Sequence, residues 1–409
     1  MARYFQKKQC RICGNTRLVS VLDLGRQSPA NNFLKKSEMN RKKPRFPLAV
    51  QFCENCSLLS LCHVVDPEIL FVGYQYLTGA SAPLVAHFVE EAKMIARKFI
   101  RDKSNLVVEF GSNDGTLLAE LKDYCRVLGV DPARNVAARA KKRGVPTILA
   151  FFGERTAKHI QARHGHARVI VANNVFAHID ALHDVMRGIR TLLREDGVFI
   201  SESHWVGNLI GEGGFDQIYH EHLSYYSLHA LRTLAGVHGL IITDAELLPI
   251  HGASLRVTMR RAGTAGASVR QLLLHEEKIG LTRLATFERF AKRASANKAE
   301  LRELFRELKR KQKTIAGYGA PAKGNTLLNY CGFGRRALAF ITDTTPSKQG
   351  LLAPGTHIPI VPPAILKTEL PDYLLLLAWN YADAILEKEK ALRAKGVKFI
   401  IPVPRVRIV

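Results

Sequence analysis

The sequence predicts an α/β protein whose central doubly wound sheet is flanked by a small N-terminal metal-binding domain and by a second, Rossmann-like α/β domain at the C-terminus. From residue 106 onward, apolar strands alternate with helices of 3.6-residue period, and two of these strands run into glycine-rich turns. Two Cys-x-x-Cys pairs near the start predict the metal-binding domain. A chain of 409 residues is long enough for such an arrangement.

Cysteine spacing defines the first domain, which we expect to span residues 1–75. Four of the seven cysteines form two Cys-x-x-Cys pairs, each followed by a small or polar residue, Gly14 or Ser57, as in a turn that wraps two sulfurs around one ion. In a reducing cytosol this pattern predicts a closed, structural zinc site; redox pairs and buried core cysteines are the alternatives. The expected ligands are Cys10, Cys13, Cys53 and Cys56.

The second domain, residues 76–265, is predicted from a succession of strands. Helices separate the first five strands, which are therefore expected to be parallel, and a hairpin-like pair follows. This succession matches the seven-stranded, doubly wound sheet of class I methyltransferases. The expected strands are residues 106–110, 126–130, 146–150, 168–173, 197–202, 240–247 and 254–260.

Polar residues at the strand ends predict a methyl-donor site, because ligands of open parallel sheets bind at the carboxyl ends of the strands. A glycine-rich turn follows the first strand, an aspartate ends the second and an Asn pair ends the fourth. The turn reads Gly-Ser-Asn-Asp-Gly, without the G-x-G-x-x-G spacing of a dinucleotide site, which favours S-adenosylmethionine over NAD. A purely structural turn is the remaining alternative. The expected donor residues are Gly111, Asn113, Asp114, Gly115, Asp131, Asn173 and Asn174.

The segment Tyr-His-Glu-His at residues 219–222 crowds acid–base side chains beyond the donor site. It lies in a glycine-rich insertion after the fifth strand, where a class of methyltransferases places its acceptor. Histidine suits proton removal near neutral pH, so the segment predicts an acid–base site. The alternatives are histidines that only hydrogen-bond a loop, or a metal site, for which the His-Glu-x-x-His spacing is missing.

The third part, residues 266–409, is expected to begin with two amphipathic helices over 268–313 and to continue as an α/β domain. The stretch from Gly317 to Ala322 fits the G-x-G-x-x-A turn of dinucleotide sites, and Asp343 ends the next strand. Lys323 adds a cation suited to a diphosphate. A second nicotinamide site and simple domain packing are the alternatives.

The formal net charge of +24 raises the question of a nucleic-acid partner. The basic residues are scattered and aromatic residues are not interleaved with them, so no nucleic-acid partner is expected. A basic chain also suits a substrate with a diphosphate. No run of 18 apolar residues and no apolar leader occurs, which predicts a cytoplasmic protein without a membrane partner.

Five motifs occur in one order along the chain: the Cys-x-x-Cys pairs, EFGSNDGTLL, NNVFAHI, YHEH and GYGAPAKGNTLLNY. In this combination the sequence resembles the nucleotide-sugar C-methyltransferases, three-domain zinc-containing enzymes that make branched deoxysugars with S-adenosylmethionine. The resemblance covers essentially the whole chain. It implies methylation at carbon 3 of a 4-keto-6-deoxyhexose carried on a dTDP or GDP nucleotide, and it is compatible with a monomer.

The resemblance also implies roles for individual residues. His222 would be the base, with Tyr219 and Glu221 polarising or orienting the acceptor. A tyrosine from the end of the zinc domain would take part, either Tyr74 or Tyr76, of which Tyr76 lies nearer the following turn. The terminal domain would be a Rossmann-like relic that helps to hold the sugar nucleotide. The substrate contacts expected in this way are Tyr74, His178, His220, Lys323, Asn325 and Trp379.

Three other functions compete with this prediction. An RNA methyltransferase with a zinc ribbon would usually carry Asn-Pro-Pro-aromatic, or a Cys after Pro, where this chain has Asn-Asn-Val-Phe at 173–176 and no Pro-Cys pair. A small-molecule O- or N-methyltransferase needs no enolate and leaves the His-Glu-His group unexplained. A zinc-dependent scaffold with a dead donor pocket would not need Asn113, Asp131 or His222.

Overall fold

Short antiparallel strands form the N-terminal part of the protein. The computed structural model describes residues 3–39, 44–71, 77–250 and 252–409. The N-terminal elements are β1 (Tyr4–Gln6), β2 (Leu18–Gln27), β3 (Phe46–Cys53), β4 (Leu59–Leu61), β5 (His63–Val65) and helix α1 (Pro67–Phe71). Strands β2, β3 and β4 pair antiparallel in one sheet, and β1 pairs with β5.

The central part is a seven-stranded sheet with the order β12-β13-β10-β9-β6-β7-β8, in which only β13 runs antiparallel to its neighbours. This is the class I methyltransferase arrangement that the sequence predicts. Its elements, in chain order, are α2 (Ala82–Phe99), β6 (Leu106–Phe110), α3 (Thr116–Leu121), β7 (Arg126–Val130), α4 (Arg134–Lys142), β8 (Thr147–Ile148), α5 (Glu154–His164), β9 (Ala167–Asn173), α6 (Leu182–Leu192), β10 (Leu193–His204), α7 (Val206–Glu212), β11 (Ser224–Tyr225), α8 (Leu228–Val237), β12 (Ile241–Leu248) and β13 (Ser254–Arg260).

All seven strands expected from the sequence are present in this sheet. Strands β6 and β9 are buried along their whole length, as expected at the centre of a parallel sheet covered on both faces. Strand β8 is shorter than expected because it lies at the sheet edge, and the chain leaves the edge at Leu149, whose side chain is exposed. The central strands therefore place their polar ends at one buried edge of the sheet.

Strand β11 leaves the central sheet and joins the N-terminal one. It pairs antiparallel with β4, so that Ser224 lies opposite Ser60 and Tyr225 lies opposite Leu59. The N-terminal sheet consequently has the order β11-β4-β3-β2. Because residues 219–222 immediately precede β11, this segment lies where the N-terminal and central parts meet.

The C-terminal part begins with two helices and continues as a six-stranded sheet of order β16-β15-β14-β17-β18-β19, parallel except for β19. It has the Rossmann-like architecture that the sequence predicts. Its elements are α9 (Ala267–Lys278), α10 (Leu284–Arg310), β14 (Ile315–Tyr318), α11 (Ala322–Cys331), β15 (Ile341–Thr342), β16 (Ile360–Val361), β17 (Tyr373–Leu376), α12 (Ala382–Lys388), α13 (Lys390–Ala394), β18 (Lys398–Ile401) and β19 (Arg407–Ile408).

Helix α10 ties the two outer parts of the molecule together. Near its start, the ring of Phe287 stacks on that of Phe52 in β3, with ring centroids 4.4 Å apart. Near its end, Phe305 stacks on Phe333 at 4.0 Å. Such pairs contribute about 0.5–1.5 kcal/mol beyond their area burial. None of the described helices, α10 included, is both long and apolar enough to cross a membrane.

Candidate active site and zinc centre

The four cysteines of the Cys-x-x-Cys pairs converge on one point. Their sulfur atoms all lie within 4.8 Å of one another. The sulfurs of Cys10 and Cys56 are 3.5 Å apart, as are those of Cys13 and Cys53. A tetrahedral zinc ion with bonds of about 2.3 Å needs sulfurs just under 4 Å apart, whereas a disulfide needs about 2 Å. The four thiols therefore fit a zinc ion with no coordination position left for a substrate, which is a structural site.

Each cysteine pair ends in a turn with a left-handed backbone. Gly14 has a φ of +71° and Ser57 a φ of +61°. The N–H of Gly14 donates to the carbonyl of Cys10, and the N–H of Ser57 donates to that of Cys53. Side chains without branching at Cβ tolerate this conformation best. The backbone thus explains the small or polar residue after each pair.

Side chains beside the zinc centre form hydrogen bonds and ion pairs with the central domain. Arg11, which lies between two of the cysteines, is buried and donates from Nε to Oδ1 of Asp180 at 2.9 Å. Its Nη1 donates to the carbonyl of Leu61 at 2.9 Å, and Lys7 donates to Oδ2 of Asp180 at 3.0 Å. Asp180 follows His178 by two residues. The metal centre therefore holds the loop that leaves the donor edge of the sheet.

Two glycines shape the turn after β6. Gly111 has a φ of +66°, and a Cβ there would lie 2.6 Å from a methyl group of Val175. Gly115 has a φ of +73° and starts helix α3; a Cβ there would lie 3.1 Å from Ala140. Both positions need glycine for conformation and for space. At Gly111 the turn therefore packs closely against Val175, which follows Asn173 and Asn174.

The aspartate at the end of β7 joins the turn in one hydrogen-bond network. Asp131 accepts from the N–H of Asn113 and from that of Ala133, both at 2.9 Å. The Oδ1 of Asn113 accepts from the N–H of Asp114 at 2.9 Å and from that of Thr78 at 3.1 Å. Burial raises the pKa of Asp131 despite these bonds. The sequence-predicted residues of the turn and of the second strand are thus brought together.

Asp114 is directed into the protein. Its carboxylate accepts from the N–H of Gly79 at 3.1 Å and from the hydroxyl of Thr116 at 2.7 Å, and it pairs with Arg143 at 3.4 Å. These contacts fix the turn and the start of α3. The geometry therefore assigns Asp114 a supporting place at the donor edge.

Buried side-chain oxygen atoms at this edge have no hydrogen-bond partner among the residues that the structure describes. Oε2 of Glu109, Oδ1 of Asn173 and Oδ1 of Asn174 are among them. Burial, with the nearby charge of Glu91, raises the pKa of Glu109 well above its ordinary value. An unpaired buried acceptor is costly, and a ligand with N–H or O–H donors could satisfy these atoms. The ammonium and hydroxyl groups of S-adenosylmethionine are donors of this kind.

A buried ion network lies behind the Asn pair. Asn173 donates to Glu91 at 2.5 Å, and burial raises the pKa of Glu91 to about 7. Arg256 pairs with Glu202 at 3.0 Å, and Nε2 of His87 lies 2.9 Å from the same carboxylate. His87, Glu91 and Glu202 are close enough to hold a metal ion, but the Arg256 guanidinium lies 3.3 Å from the ring nitrogen of His87. The guanidinium of Arg256 therefore supplies the positive charge that the carboxylates would otherwise take from a metal ion.

The acid–base segment forms a tight turn in which two side chains face one another. The N–H of His222 donates to the carbonyl of Tyr219 at 3.0 Å, and the hydroxyl of Tyr219 lies 2.9 Å from Nε2 of His222. The His222 ring is also 4.9 Å from that of His178 and 5.7 Å from that of His204. Burial lowers the pKa of His178 to about 4, so this imidazole is neutral at pH 7.

Glu221 and His220 turn towards the N-terminal domain. The two carboxylate oxygens of Glu221 accept from the Asn31 amide at 2.8 and 3.0 Å, and burial raises the pKa of Glu221 to about 7. His220 donates from Nε2 to the carbonyl of Phe46 at 3.3 Å, and burial lowers the pKa of His220 to about 4. The imidazole of His220 is therefore used at the domain boundary, whereas His222 faces Tyr219.

The acceptor turn and the donor edge are in contact. The N–H of Leu223 donates to the carbonyl of Ala177 at 2.8 Å, in the short 3-10 helix Phe176–His178 that follows the Asn pair. Val175, which precedes this helix, is the residue against Gly111. The structure therefore brings the glycine-rich turn, His178 and His222 into one continuous site.

The C-terminal domain contributes a half-buried cation, Lys323, beside the central domain. The Nζ of Lys323 lies 3.9 Å from the ring centroid of Trp379 and donates to Asn380 at 2.6 Å. The indole N–H of Trp379 donates to buried Asp216 at 2.7 Å. Burial lowers the pKa of Lys323 to about 8 and raises the pKa of Asp216 to about 6. Lys323 and Trp379 are thus adjacent, as the sequence suggested.

Asn325 has a different contact from the one expected. Its amide donates to the carbonyl of Ala30 in the N-terminal domain at 2.8 Å.

Tyr74 and Tyr76, between which the sequence did not decide, lie outside the described residues. Several polar residues of the site were not expected from the sequence, because distant segments supply them or because their burial was not apparent. They are Asn31, Glu91, Glu109, Glu202, His204 and Asp216.

Three family models match successive parts of the chain: a zinc binding domain at residues 10–71, a methyltransferase domain at residues 85–244 and a C-methyltransferase C-terminal domain at residues 249–404. The C-methyltransferase NovU of Streptomyces niveus is 38% identical over 405 residues, which cover 98% of this chain and 96% of that protein. The chain belongs to the C-methyltransferase family.

Solved methyltransferase structures are similar to less than half of this C-methyltransferase. The N-methyltransferase NodS of Bradyrhizobium japonicum is 11% identical, covering 45% of this chain and 99% of that chain, with a TM-score of 0.35. Magnesium protoporphyrin IX methyltransferase of Synechocystis is 14% identical, covering 44% and 84%, with a TM-score of 0.34. The family models and the four-cysteine cluster confirm two predicted cofactors of the C-methyltransferase, S-adenosylmethionine as methyl donor and structural zinc.

Proposed function

We propose that this C-methyltransferase methylates carbon 3 of a 4-keto-6-deoxyhexose linked to dTDP or GDP, through an enolate, in branched deoxysugar biosynthesis. The observation that carries the proposal is the Tyr219–His222 pair, with hydroxyl and imidazole 2.9 Å apart, in contact with the loop that follows the donor strand. This pair offers a base and a hydrogen-bond donor at one place, which is what alkylation beside a ketone requires.

The pair explains how carbon becomes a nucleophile. A carbon next to a ketone acquires nucleophilic character only when it loses a proton. A ketone oxygen that accepts a hydrogen bond from the Tyr219 hydroxyl takes that hydroxyl away from His222, so Nε2 is free to remove the proton from carbon 3. The electron pair of the broken C–H bond moves onto the ketone oxygen, where the tyrosine stabilises the negative charge.

The surroundings of the pair keep this proton transfer efficient. His178 is neutral at pH 7 because of its burial, so it does not repel the imidazolium that forms on His222. Glu221 lies buried in the same turn and orients the acceptor. Tyr76, or Tyr74 in its place, is proposed as a further acceptor contact from the end of the zinc domain. His220 contributes by holding the turn against the N-terminal sheet.

Donor binding is assigned to the edge of the central sheet. Asp131 would accept the ribose hydroxyls, and Asn173, Asn174 and Glu109 would accept hydrogen bonds from the methionine portion. The glycines at 111 and 115 allow close approach to the turn, and Asn113 and Asp114 hold it. When bound, S-adenosylmethionine supplies an electrophilic methyl group, and the protein fixes the reacting atoms in line.

Lys323 and Trp379 are proposed to hold the diphosphate of the nucleotide sugar. Lys323 is a half-buried cation at the start of helix α11, where an anion is favoured. Asn325, two residues further along the helix, supports this surface through Ala30. A nucleotide-diphosphate sugar is thus the expected partner of this enzyme, which is proposed to act as a monomer without a nucleic-acid partner.

The test is an assay with S-adenosylmethionine and each of two acceptors, the dTDP- and GDP-linked 4-keto-6-deoxyhexoses, followed by mass spectrometry and NMR. The expected product carries one additional methyl group on carbon 3. In deuterium oxide without the donor, the enzyme should also exchange the proton at carbon 3, and His222→Ala should not. A methyl group on oxygen or nitrogen, or methylation of RNA alone, would refute the proposal.

A further inference from the structure

Asn31 reaches from the N-terminal domain to the acid–base turn of the central domain. It lies in the segment between β2 and β3, and its amide nitrogen is 2.8 Å from one carboxylate oxygen of Glu221 and 3.0 Å from the other. The Glu221 residue is 5% exposed, whereas the Asn31 residue is exposed. One NH2 group therefore covers both oxygens of a buried carboxyl group.

Glu221 has no cationic partner in the part of the chain that the structure describes. Asn31 is the side chain that donates to its oxygens, and no described lysine, arginine or histidine lies within ion-pair distance of them. His178 contacts the backbone of Glu221, and the neighbouring His220 is turned to Phe46. Burial keeps both of these imidazoles neutral at pH 7. The carboxyl group thus depends on a single amide.

The segment that carries Asn31 is fixed by the C-terminal domain. The preceding residue, Ala30, accepts a hydrogen bond from the buried amide of Asn325 at 2.8 Å. Further along the segment, Leu34 exchanges two backbone hydrogen bonds with Leu352, at 3.0 and 2.8 Å. Because both ends are held, Asn31 is presented to Glu221 from a rigid support, as a positioning group requires.

We propose that Asn31 is a positioning residue for the methylation, contributed by the zinc-binding domain, which holds the carboxyl group of Glu221 in the geometry used at the acceptor. This inference rests on the proposed function and extends it. It gives the N-terminal domain a part in acceptor chemistry in addition to zinc binding.

Removal of the amide has a defined electrostatic consequence. A carboxyl group in a buried position prefers its neutral form, and a donor hydrogen bond to the carboxylate opposes that preference. Burial already raises the pKa of Glu221 to about 7, and the Asn31 bond acts in the opposite direction. Without the amide, Glu221 should therefore take up its proton at a higher pH and lose its fixed orientation.

The experiment compares Asn31→Ala and Asn31→Asp with wild type and with Asn32→Ala. Asn32 is a matched control because it is the adjacent exposed asparagine, and it makes no described contact with Glu221. The protein is labelled with carbon-13 at the glutamate carboxyl carbons, and the Glu221 resonance is assigned from its loss in Glu221→Gln. The titration midpoint of Glu221 should rise by about half a pH unit or more in Asn31→Ala, and further in Asn31→Asp.

Kinetics supply the second measurement. The kcat of both Asn31 variants should fall about tenfold or more at neutral pH, with the affinity for S-adenosylmethionine unchanged, and one limb of the kcat–pH profile should move upward. Asn32→Ala should behave as wild type does in both measurements. The limb that moves identifies whether the reaction uses the ionised or the neutral form of Glu221.

Two results would overturn the inference: an unchanged Glu221 midpoint in both Asn31 variants, or a raised midpoint with unchanged kcat. If wild type and Asn32→Ala both fail to methylate the nucleotide ketosugars, the proposed function is wrong. The carboxyl titration needs no turnover and would still decide whether Asn31 holds Glu221.

Discussion

The hydroxyl oxygen of Tyr219 lies 2.9 Å from Nε2 of His222, and the centroids of the two rings are 4.2 Å apart. Two residues lie between them in the sequence, and a backbone hydrogen bond from the N–H of His222 to the carbonyl of Tyr219 closes the turn. The pairing is therefore built into local backbone geometry. It requires no other domain to bring the base and the hydroxyl together.

Replacement of His222 by Ala should abolish turnover, because it removes the imidazole that is proposed to take the proton from carbon 3. S-adenosylmethionine should still bind, since the donor edge lies on β6, β7 and β9. The measurement combines product formation with calorimetric titration of the donor. Retained turnover would remove His222 as the base, and lost donor binding would mean that the variant disturbs the whole edge.

Tyr219→Phe should lower kcat by about 10- to 100-fold, because it removes the hydroxyl that is proposed to stabilise charge on the ketone oxygen and leaves the ring in place. Tyr225→Phe is the control: its ring centroid is 6.2 Å from that of His222, and it belongs to β11. Steady-state kinetics with a saturating donor give the comparison. An equal loss in the two variants would count against a specific role for Tyr219.

Cys53→Ser should release zinc and lower the free energy of unfolding by about 2 kcal/mol or more, because the N-terminal domain relies on the metal centre for its shape. Cys62→Ser is matched to it as a buried cysteine outside the four-sulfur cluster. Metal analysis of the purified proteins should find one zinc ion per chain in wild type and Cys62→Ser. Equal zinc content in Cys53→Ser would contradict the assignment.

Lys323→Met should raise the KM for the nucleotide sugar about tenfold or more and change kcat less, because the proposed contact is with the diphosphate and not with the reacting carbon. Lys298→Met provides the comparison, since its ammonium also lies over an aromatic ring, that of Tyr330 at 4.1 Å. The wild-type KM should rise with salt. The same KM in both variants would place the diphosphate elsewhere.

The stability contributed by His220 should depend on pH. Burial lowers its pKa from 6.5 to about 4, so between these values the unfolded chain binds a proton that the folded protein does not. The contribution is therefore complete above pH 6.5 and is lost as the pH falls towards 4, by about 1.4 kcal/mol per pH unit.

His220→Gln keeps a donor for the carbonyl of Phe46 and removes the titration. In urea unfolding at pH 7, 6 and 5, the free-energy advantage of wild type over this variant should shrink with each step. A constant difference would show that His220 does not titrate between the folded and unfolded states in this way.

The sheets and the zinc centre could be predicted because each depends on patterns of residues that are close together in the sequence. Strands buried on both faces are apolar throughout, as in β6 and β9, and polar residues begin where such strands end. Cysteine pairs fix a metal site by spacing alone. The Tyr219–His222 pair is likewise local, so its residues could be named from the sequence.

Contacts between distant segments could not be predicted in the same way. Asn31 and Glu221 are 190 residues apart, and Trp379 and Asp216 are 163 apart, so no periodicity connects them. Glu90 and Glu91 are identical neighbours, yet only Glu91 faces the Asn pair, because the apolar face of α2 rotates it inward. Asn325 shows the converse: it follows the expected turn, but its amide is bonded to Ala30.

The pairing of β11 with β4 has a consequence for how the chain is made. During synthesis, residues 59–61 leave the ribosome long before residues 224–225, so the N-terminal sheet has an unpaired edge for most of translation. Open edges invite association with other chains. Zinc, which needs only residues 10–56, can close the early cluster and hold that edge in register until the later strand arrives. The metal would thus protect the nascent polypeptide before any catalytic side chain has been added to it.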